Sequence, residues 1–158
     1  MPTQSEPHIE AKIHRILQRN PDTSTLHIKQ SLFPCGLKGR AIREHLMSFY
    51  QQGRVDDMPH IQRQLSHLMK ERKGWMLIEK ALRQALYNPF QVESVLSELS
   101  KSFDPHQQAL LSKQRRFGDH PPKTPDERSK MLFYLQKEGH TLPVVMAVLR
   151  SLQDRGHF

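Results

Sequence analysis

One spacing of apolar residues, met three times along the chain, constrains the fold more than any other feature. In the stretch Gly74 to Leu99, Ile78 and Leu82 stand four apart, and Val92, Leu96 and Leu99 follow ten, fourteen and seventeen residues past Leu82. Spacings of four and seven put side chains on one face of a helix, so the stretch reads as two amphipathic helices. Asn88-Pro89 between them is a break and a restart, because Asn caps a helix and Pro suits its first turn. Moved back fifty residues, the template falls on Ile28, Leu32, Ile42, Leu46 and Phe49; moved forward fifty-three, it falls on Met131, Leu135, Val145, Leu149 and Leu152. All ten shifted positions are apolar in a chain that is only 36% apolar, which chance does not produce. A repeat of about fifty residues that carries helix pairs implies stacked helical units.

Start and stop signals extend each pair to three helices. Residues 8–19 form a first helix with Ile13, Ile16 and Leu17 inward, ended by Asn20-Pro21-Asp22. Asp22, Thr23 and Ser24 can cap a short second helix, Phe33-Pro34-Cys35-Gly36 breaks it, and Gly53 fits the stop of a third helix over residues 37–52. The second unit opens near Met58 with Ile61, Leu65, Leu68 and Met69, then the basic run Lys70 to Gly74. The third opens at Asp104-Pro105 with Leu110 and Leu111 as core candidates, crosses the proline-rich loop Asp119 to Pro125, and restarts at Thr124 or Asp126. The expected fold is all-α: three tandem three-helix units, residues 1–57, 58–102 and 103–158, about nine helices in an elongated, curved array. No strand-like alternation competes with this.

Composition narrows the function classes. A net charge of +8 and a pI near 9.9 point to an anionic partner, nucleic acid first and an acidic protein surface second. With a mean hydropathy of −0.69, no run of eighteen apolar residues and an N-terminus, MPTQSEPHIE, without leader character, a soluble cytoplasmic protein is expected, with no membrane partner. A single cysteine, Cys35, excludes an internal disulfide and a Cys-rich zinc site, and is read as a small apolar filler. No HExxH, GxSxG, Walker-type loop or Cys-x-x-Cys is present, so no catalytic residue, metal or cofactor is assigned. His60 and His67 lack a carboxylate or thiol to complete a metal set. The acidic pairs Asp56-Asp57 and Asp126-Glu127 stand where helices begin, where carboxylates satisfy free N–H groups, and are read as caps.

The cations carry the functional signal. With Ile78 and Leu82 inward, a rotation of about 100° per residue puts Lys73, Lys80 and Arg83 on the opposite side of the fifth helix. Lys70 and Arg72 precede that stripe, and Lys113, Arg115, Arg116, Lys123, Arg128 and Lys130 follow in the third unit. By thirds of the chain the charge is +2, +3 and +3. These eleven residues form the candidate nucleic-acid or filament-binding surface. Trp75 beside them could stack on a base, although packing on a neighbouring helix is the plainer role for a lone tryptophan.

Three tandem three-helix units, the Val55-Asp56-Asp57 step, Gly74-x3-Ile78-x3-Leu82 after a basic stretch, Arg116-Phe117-Gly118, and Lys130 to Arg150 with Gly139 inside resemble the RecX family, bacterial regulators of the RecA recombinase. The similarity covers nearly the whole chain, and its order and spacing carry more than any single motif. The chain departs from the family pattern at Trp75, where a proline usually follows the glycine, at Ala81, where Glu is favoured, and at Glu138, which reverses the charge of a frequent Arg. The resemblance implies a monomeric, cofactor-free, non-enzymatic modulator acting in DNA repair and recombination and the SOS response. Its partners would be a RecA-like recombinase filament and single-stranded DNA, with duplex DNA a further candidate, and it would inhibit recombinase activity.

A second reading belongs to another class. Residues 10–55 could form a helix-turn-helix or winged-helix transcriptional regulator, with Thr25 to Leu32 supporting, Lys38, Arg40 and Arg43 reading bases, and Gly53-Arg54-Val55 opening a wing. Pro59 and the helical spacing of Ile61, Leu65 and Leu68 leave no second wing strand. A protein-only adaptor is the third reading.

Overall fold

The computed structural model describes residues 6–155; the first five residues, part of the segment read as lacking a leader, and the last three lie outside it. Among the described residues the chain is all-α, with nine α-helices: α1 (Glu6–Arg19), α2 (Thr25–Leu32), α3 (Gly39–Gln51), α4 (Met58–Lys70), α5 (Trp75–Gln84), α6 (Pro89–Ser102), α7 (Pro105–Phe117), α8 (Pro125–Lys137) and α9 (Leu142–Arg155). One 3-10 turn, Phe33–Cys35, follows α2, and no strand occurs among these residues. No helix among them is long and apolar enough to cross a membrane.

Helix faces follow the apolar spacing. Of the fifteen template positions all are buried except Leu99 and Leu152, which hold the same final place in their repeats and are half-buried. The polar starts also act as read: Ser24, Asp104 and Thr124 accept from the N–H groups of His27, Gln107 and Glu127 at 3.2, 3.1 and 3.1 Å. Three helices stop alike, each with two N–H groups past the cap reaching back into the last turn. The pairs are Gly53 to Tyr50 and Arg54 to Phe49 after α3, Arg72 to Met69 and Lys73 to Leu68 after α4, and Gly139 to Gln136 and His140 to Leu135 after α8. This stop needs a left-handed residue, supplied by Gly53, Gly139 and, against the usual preference for glycine, Arg72 at φ 58°.

The described residues divide into two compact units: one runs to Gln62 and adds Arg83–Glu98, the other comprises Arg63–Leu82 and the chain from Leu99. In the first, α1, α2 and α3 close over Ile9, Ile13, Leu17, Ile28, Ile42 and Leu46 with Tyr50 and Val55. A buried carboxylate ties this unit together. Asp57 accepts from the Thr25 N–H at 2.6 Å, the Thr25 hydroxyl at 2.5 Å and the Asn88 N–H at 2.6 Å. It therefore holds the starts of α2 and α6, whereas its neighbour Asp56 caps α4, accepting from the Met58 N–H at 3.0 Å, and takes one further bond from the Gln91 amide at 3.1 Å. The Asn88 amide returns a bond to the Val55 carbonyl at 3.0 Å, closing the network.

In the second unit α7, α8 and α9 pack on one another around Met131, Leu135, Val145 and Leu149. The expected core pair on α7 is corrected: Leu110 and Leu111 are half-buried, and the inward face is Gln108, Ala109, Ser112 and Lys113. Gln108 and Lys113 turn inward because backbone carbonyls await them there. Cys35 is corrected too. It is exposed in the 3-10 turn and fills no apolar space, and its Sγ is 3.8 Å from the Lys12 ammonium.

Candidate nucleic-acid interface

The charge is far less evenly spread over the folded units than over thirds of the sequence. Residues 63–82 with 99–158 carry 15 Lys and Arg against 8 Asp and Glu, a net +7, while the rest of the chain carries 9 against 8, a net +1. A candidate anion-binding face therefore belongs to the second unit.

Within that unit the end of α4 is a carpet of carbonyls, and side chains from later in the chain cover it. Gln108 Nε2 donates to the Met69 and Lys73 carbonyls at 3.2 Å each, Arg115 Nη1 to the Lys70 carbonyl at 3.0 Å, and His140 Nε2 to the Arg72 carbonyl at 2.9 Å. Cations and donors belong at a helix C-terminus, where unpaired carbonyls and the negative end of the dipole coincide. Arg115 also faces Glu71 at 3.6 Å. Its guanidinium is thus a cap as much as a surface charge.

A glycine-to-glycine crossing lies beside this carpet. The Gly74 N–H donates to the Glu138 carbonyl at 2.9 Å and the Met76 N–H to the Gly139 carbonyl at 3.3 Å. A Cβ on Gly74 would stand 2.3 Å from Gly139 backbone atoms, and one on Gly139 would stand 2.4 Å from Leu77 Cβ. Lys73 pairs with the Glu138 carboxylate, their side chains 25% and 15% exposed, so the two charges flank the crossing. Burial pushes the His140 imidazole below its usual range, and donation to the Arg72 carbonyl opposes this in part. The unfolded chain then takes a proton that the folded chain resists, so stability present above the ordinary histidine pKa of about 6.5 is lost as pH falls below it. Urea midpoints measured from pH 7.5 down to 5.5 should therefore fall less steeply in His140→Gln than in the parent.

The eleven cations read as one surface have different fates. Lys113 is fully buried; its ammonium donates to the Gly118 carbonyl at 2.6 Å and to the His120 carbonyl, drawing the α7–α8 loop inward. Burial pushes its pKa down against the pull of Asp119 and Glu127. Lys73 is spent on Glu138, and Arg83, which falls in the first unit, pairs with Glu93. The stripe on α5 is thereby reduced to Lys80. Lys130 stands in an exposed pair with Asp126 at 3.6 Å, and Arg128 Nη2 approaches the Met146 sulfur at 3.5 Å. Trp75 is half-buried with its ring 5.4 Å from that of Phe103, so it packs within the protein.

Lys70, Lys80, Arg116 and Lys123 remain exposed, with Arg72 half-buried. Arg116 has the most built setting of these. Its guanidinium lies 5.9 Å from the Phe117 ring centre and 5.7 Å from that of Tyr134, and the two rings meet edge to face at 5.5 Å. A cation held on two aromatic faces yet open to water can take a phosphate or stack on a base with little ordering cost. Arg115 joins the end of α7 to the end of α4, Arg116 lies on Tyr134 of α8, and His140 just past α8 reaches the Arg72 carbonyl, so the C-terminal ends of three helices meet here. Sequence reasoning missed exposed Lys137, three residues past Tyr134 on α8; its place in the last turn before Gly139 was the available signal. Among the described residues no group of three His, Cys, Asp or Glu side chains could hold a metal ion. Comparison with known families finds no family model that matches this chain, and comparison with curated proteins finds no match either.

Proposed function

We propose that this chain is a RecX-like, non-enzymatic regulator that binds a recombinase–single-stranded DNA filament through the second unit and restrains recombinase activity. The observation that carries the reading is the concentration of charge: +7 of the net +8 lies in the unit that also holds the contact of Gly74 and Gly139, two glycines within the motifs that carry the resemblance. A positive face with a cation seated on two rings suits a phosphate backbone with unstacked bases. The test is RecA ATPase on single-stranded DNA with this protein titrated in. Dose-dependent inhibition at substoichiometric levels supports the reading; an unchanged rate at excess protein overturns it.

The interface itself is tested by salt. Lys70→Ala, Arg116→Ala and Lys137→Ala should each remove about 0.7 from the slope of log affinity against log salt for single-stranded DNA, with Tm unchanged. Lys113→Ala should instead lower Tm, because that ammonium is internal. Full slope in all three surface variants would discard this face.

The helix-turn-helix alternative keeps α2 and α3 with Lys38 and Arg40 exposed, but two observations weigh against it. Arg43, its third reading residue, donates through Nη2 to the Ala85 carbonyl at 2.7 Å, and residues 54–57 contain no strand for a wing. A sequence-dependent preference for duplex DNA would restore it.

A further inference from the structure

We propose that the cavity between α2, the start of α4 and the α5–α6 loop is a socket for one large apolar side chain presented by an acidic segment of a partner protein. All of its walls belong to the first unit, so the proposal does not depend on the filament reading. The cavity encloses about 320 Å³, at the small end of ligand pockets and enough for a single anchor. Leu26, Ala85, Leu86 and the Tyr87 ring give it an apolar surface. Leu26 is 49% exposed at the second position of α2, an apolar side chain left facing outward beside an apolar hole.

The socket is preformed. Arg43 holds the Ala85 carbonyl at 2.7 Å, the Tyr87 N–H turns back to the same carbonyl at 2.9 Å, and the Asn88 N–H is fixed on Asp57. Leu86 sits against Gly39, where a Cβ would stand 2.9 Å from Leu86 Cδ1, so the glycine makes room for this wall. A partner would not have to order the loop, which lowers the cost of binding.

Charge selects the occupant. Lys29 on the wall is exposed, His60 lines the cavity beside it, and the Arg43 guanidinium stands behind Ala85 with its buried Nε unpartnered. The carboxylate in the lining, Asp57, is fully buried and already accepts three hydrogen bonds from Thr25 and Asn88. An apolar hole edged by the Lys29 ammonium, backed by the Arg43 guanidinium and with its one carboxylate already occupied by donors, is complementary to an acidic segment carrying an anchor, whereas a basic segment would be repelled.

Fluorescein-labelled peptides of Asp, Glu, Gly and Ser around a single central Phe, Leu or Trp test this by anisotropy with the full chain. The anchored peptides should bind about tenfold or more tightly than the version with Ala at the centre. Leu26→Asp and Lys29→Glu should each weaken binding by at least about fivefold, with Tm unchanged because both side chains are exposed. The proposal is overturned if no anchored peptide binds below about 1 mM, or if the Ala-centred or Lys-substituted peptides bind as well. It is overturned equally if Lys70→Ala with Arg116→Ala removes binding while Leu26→Asp does not, or if Leu26→Asp abolishes a dimer seen in sedimentation, which would assign the socket to a second copy. Failure of the RecA assay alone leaves these readouts intact, so the two readings fail separately.

Discussion

Gly139→Ala is expected to cost more than about 4 kcal/mol, enough to leave the second unit largely unfolded at ordinary temperatures. Two penalties coincide at this residue. Its φ of 97° is one that side chains rarely adopt, and a Cβ would meet Leu77 Cβ at 2.4 Å and Leu77 N at 2.8 Å. Neither atom can step aside without moving α5, because both belong to the helix frame rather than to the tip of a flexible side chain. Gly74→Ala should be as severe for the steric reason alone, since its Cβ would lie 2.3 Å from Gly139 C and O. Gly53→Ala is the control. It shares a positive φ of 69° but has nothing within 4 Å, so it should show only the backbone cost of about 1–2 kcal/mol. Urea denaturation followed by far-UV circular dichroism separates the cases, and equal midpoints for Gly139→Ala and Gly53→Ala would mean that the crossing is not as close as the distances state.

The same crossing shows what a sequence of this kind makes legible. Helix faces could be read because periodicity is a local property: Ile78 with Leu82 and Met131 with Leu135 turn inward because of their spacing alone. Glycines at Gly74 and Gly139 stood out, but their purpose needed a partner 65 residues away in the chain. Cation fates were hidden for a related reason. Lys73, Lys113 and Arg115 look like surface charge in one dimension, yet each has an acceptor that spacing does not reveal: the Glu138 carboxylate and the Lys70 carbonyl far along the chain, and for Lys113 the carbonyls of Gly118 and His120 in the loop that follows α7. Long basic side chains bury their stems readily, so composition overcounts the charges free to meet a phosphate. Leu110 and Leu111 misled for the converse reason. An apolar pair suggests the inward face of α7, but Gln108 and Lys113, facing carbonyls, hold it.

Removal of the Asp57 carboxylate gives the other large effect. Asp57→Ala should cost about 3–5 kcal/mol, because three buried donors lose their acceptor at once and each unmatched donor costs about 1–3 kcal/mol before relaxation. The loss spreads further. With the Thr25 hydroxyl donating to Asp57, its oxygen is free to accept from Tyr50 OH at 2.9 Å, so the phenol sits at the end of the same chain of bonds. Burial pushes that phenol up to about 12, so it remains a donor across the physiological range. Asp57→Asn should rescue little, since its NH₂ group must face N–H or O–H donors of Thr25 or Asn88 in place of an oxygen. Asp56→Ala offers the contrast, a half-buried carboxylate that loses one local cap and one bond from the Gln91 amide, together worth about 1–2 kcal/mol. Tyr50→Phe, which deletes the outer bond and leaves the acceptor in place, should fall between parent and Asp57→Ala. If chemical denaturation ranks Asp56→Ala as the more damaging of the two aspartate variants, Asp57 is a helix cap of the ordinary kind and not the residue that joins the starts of α2 and α6.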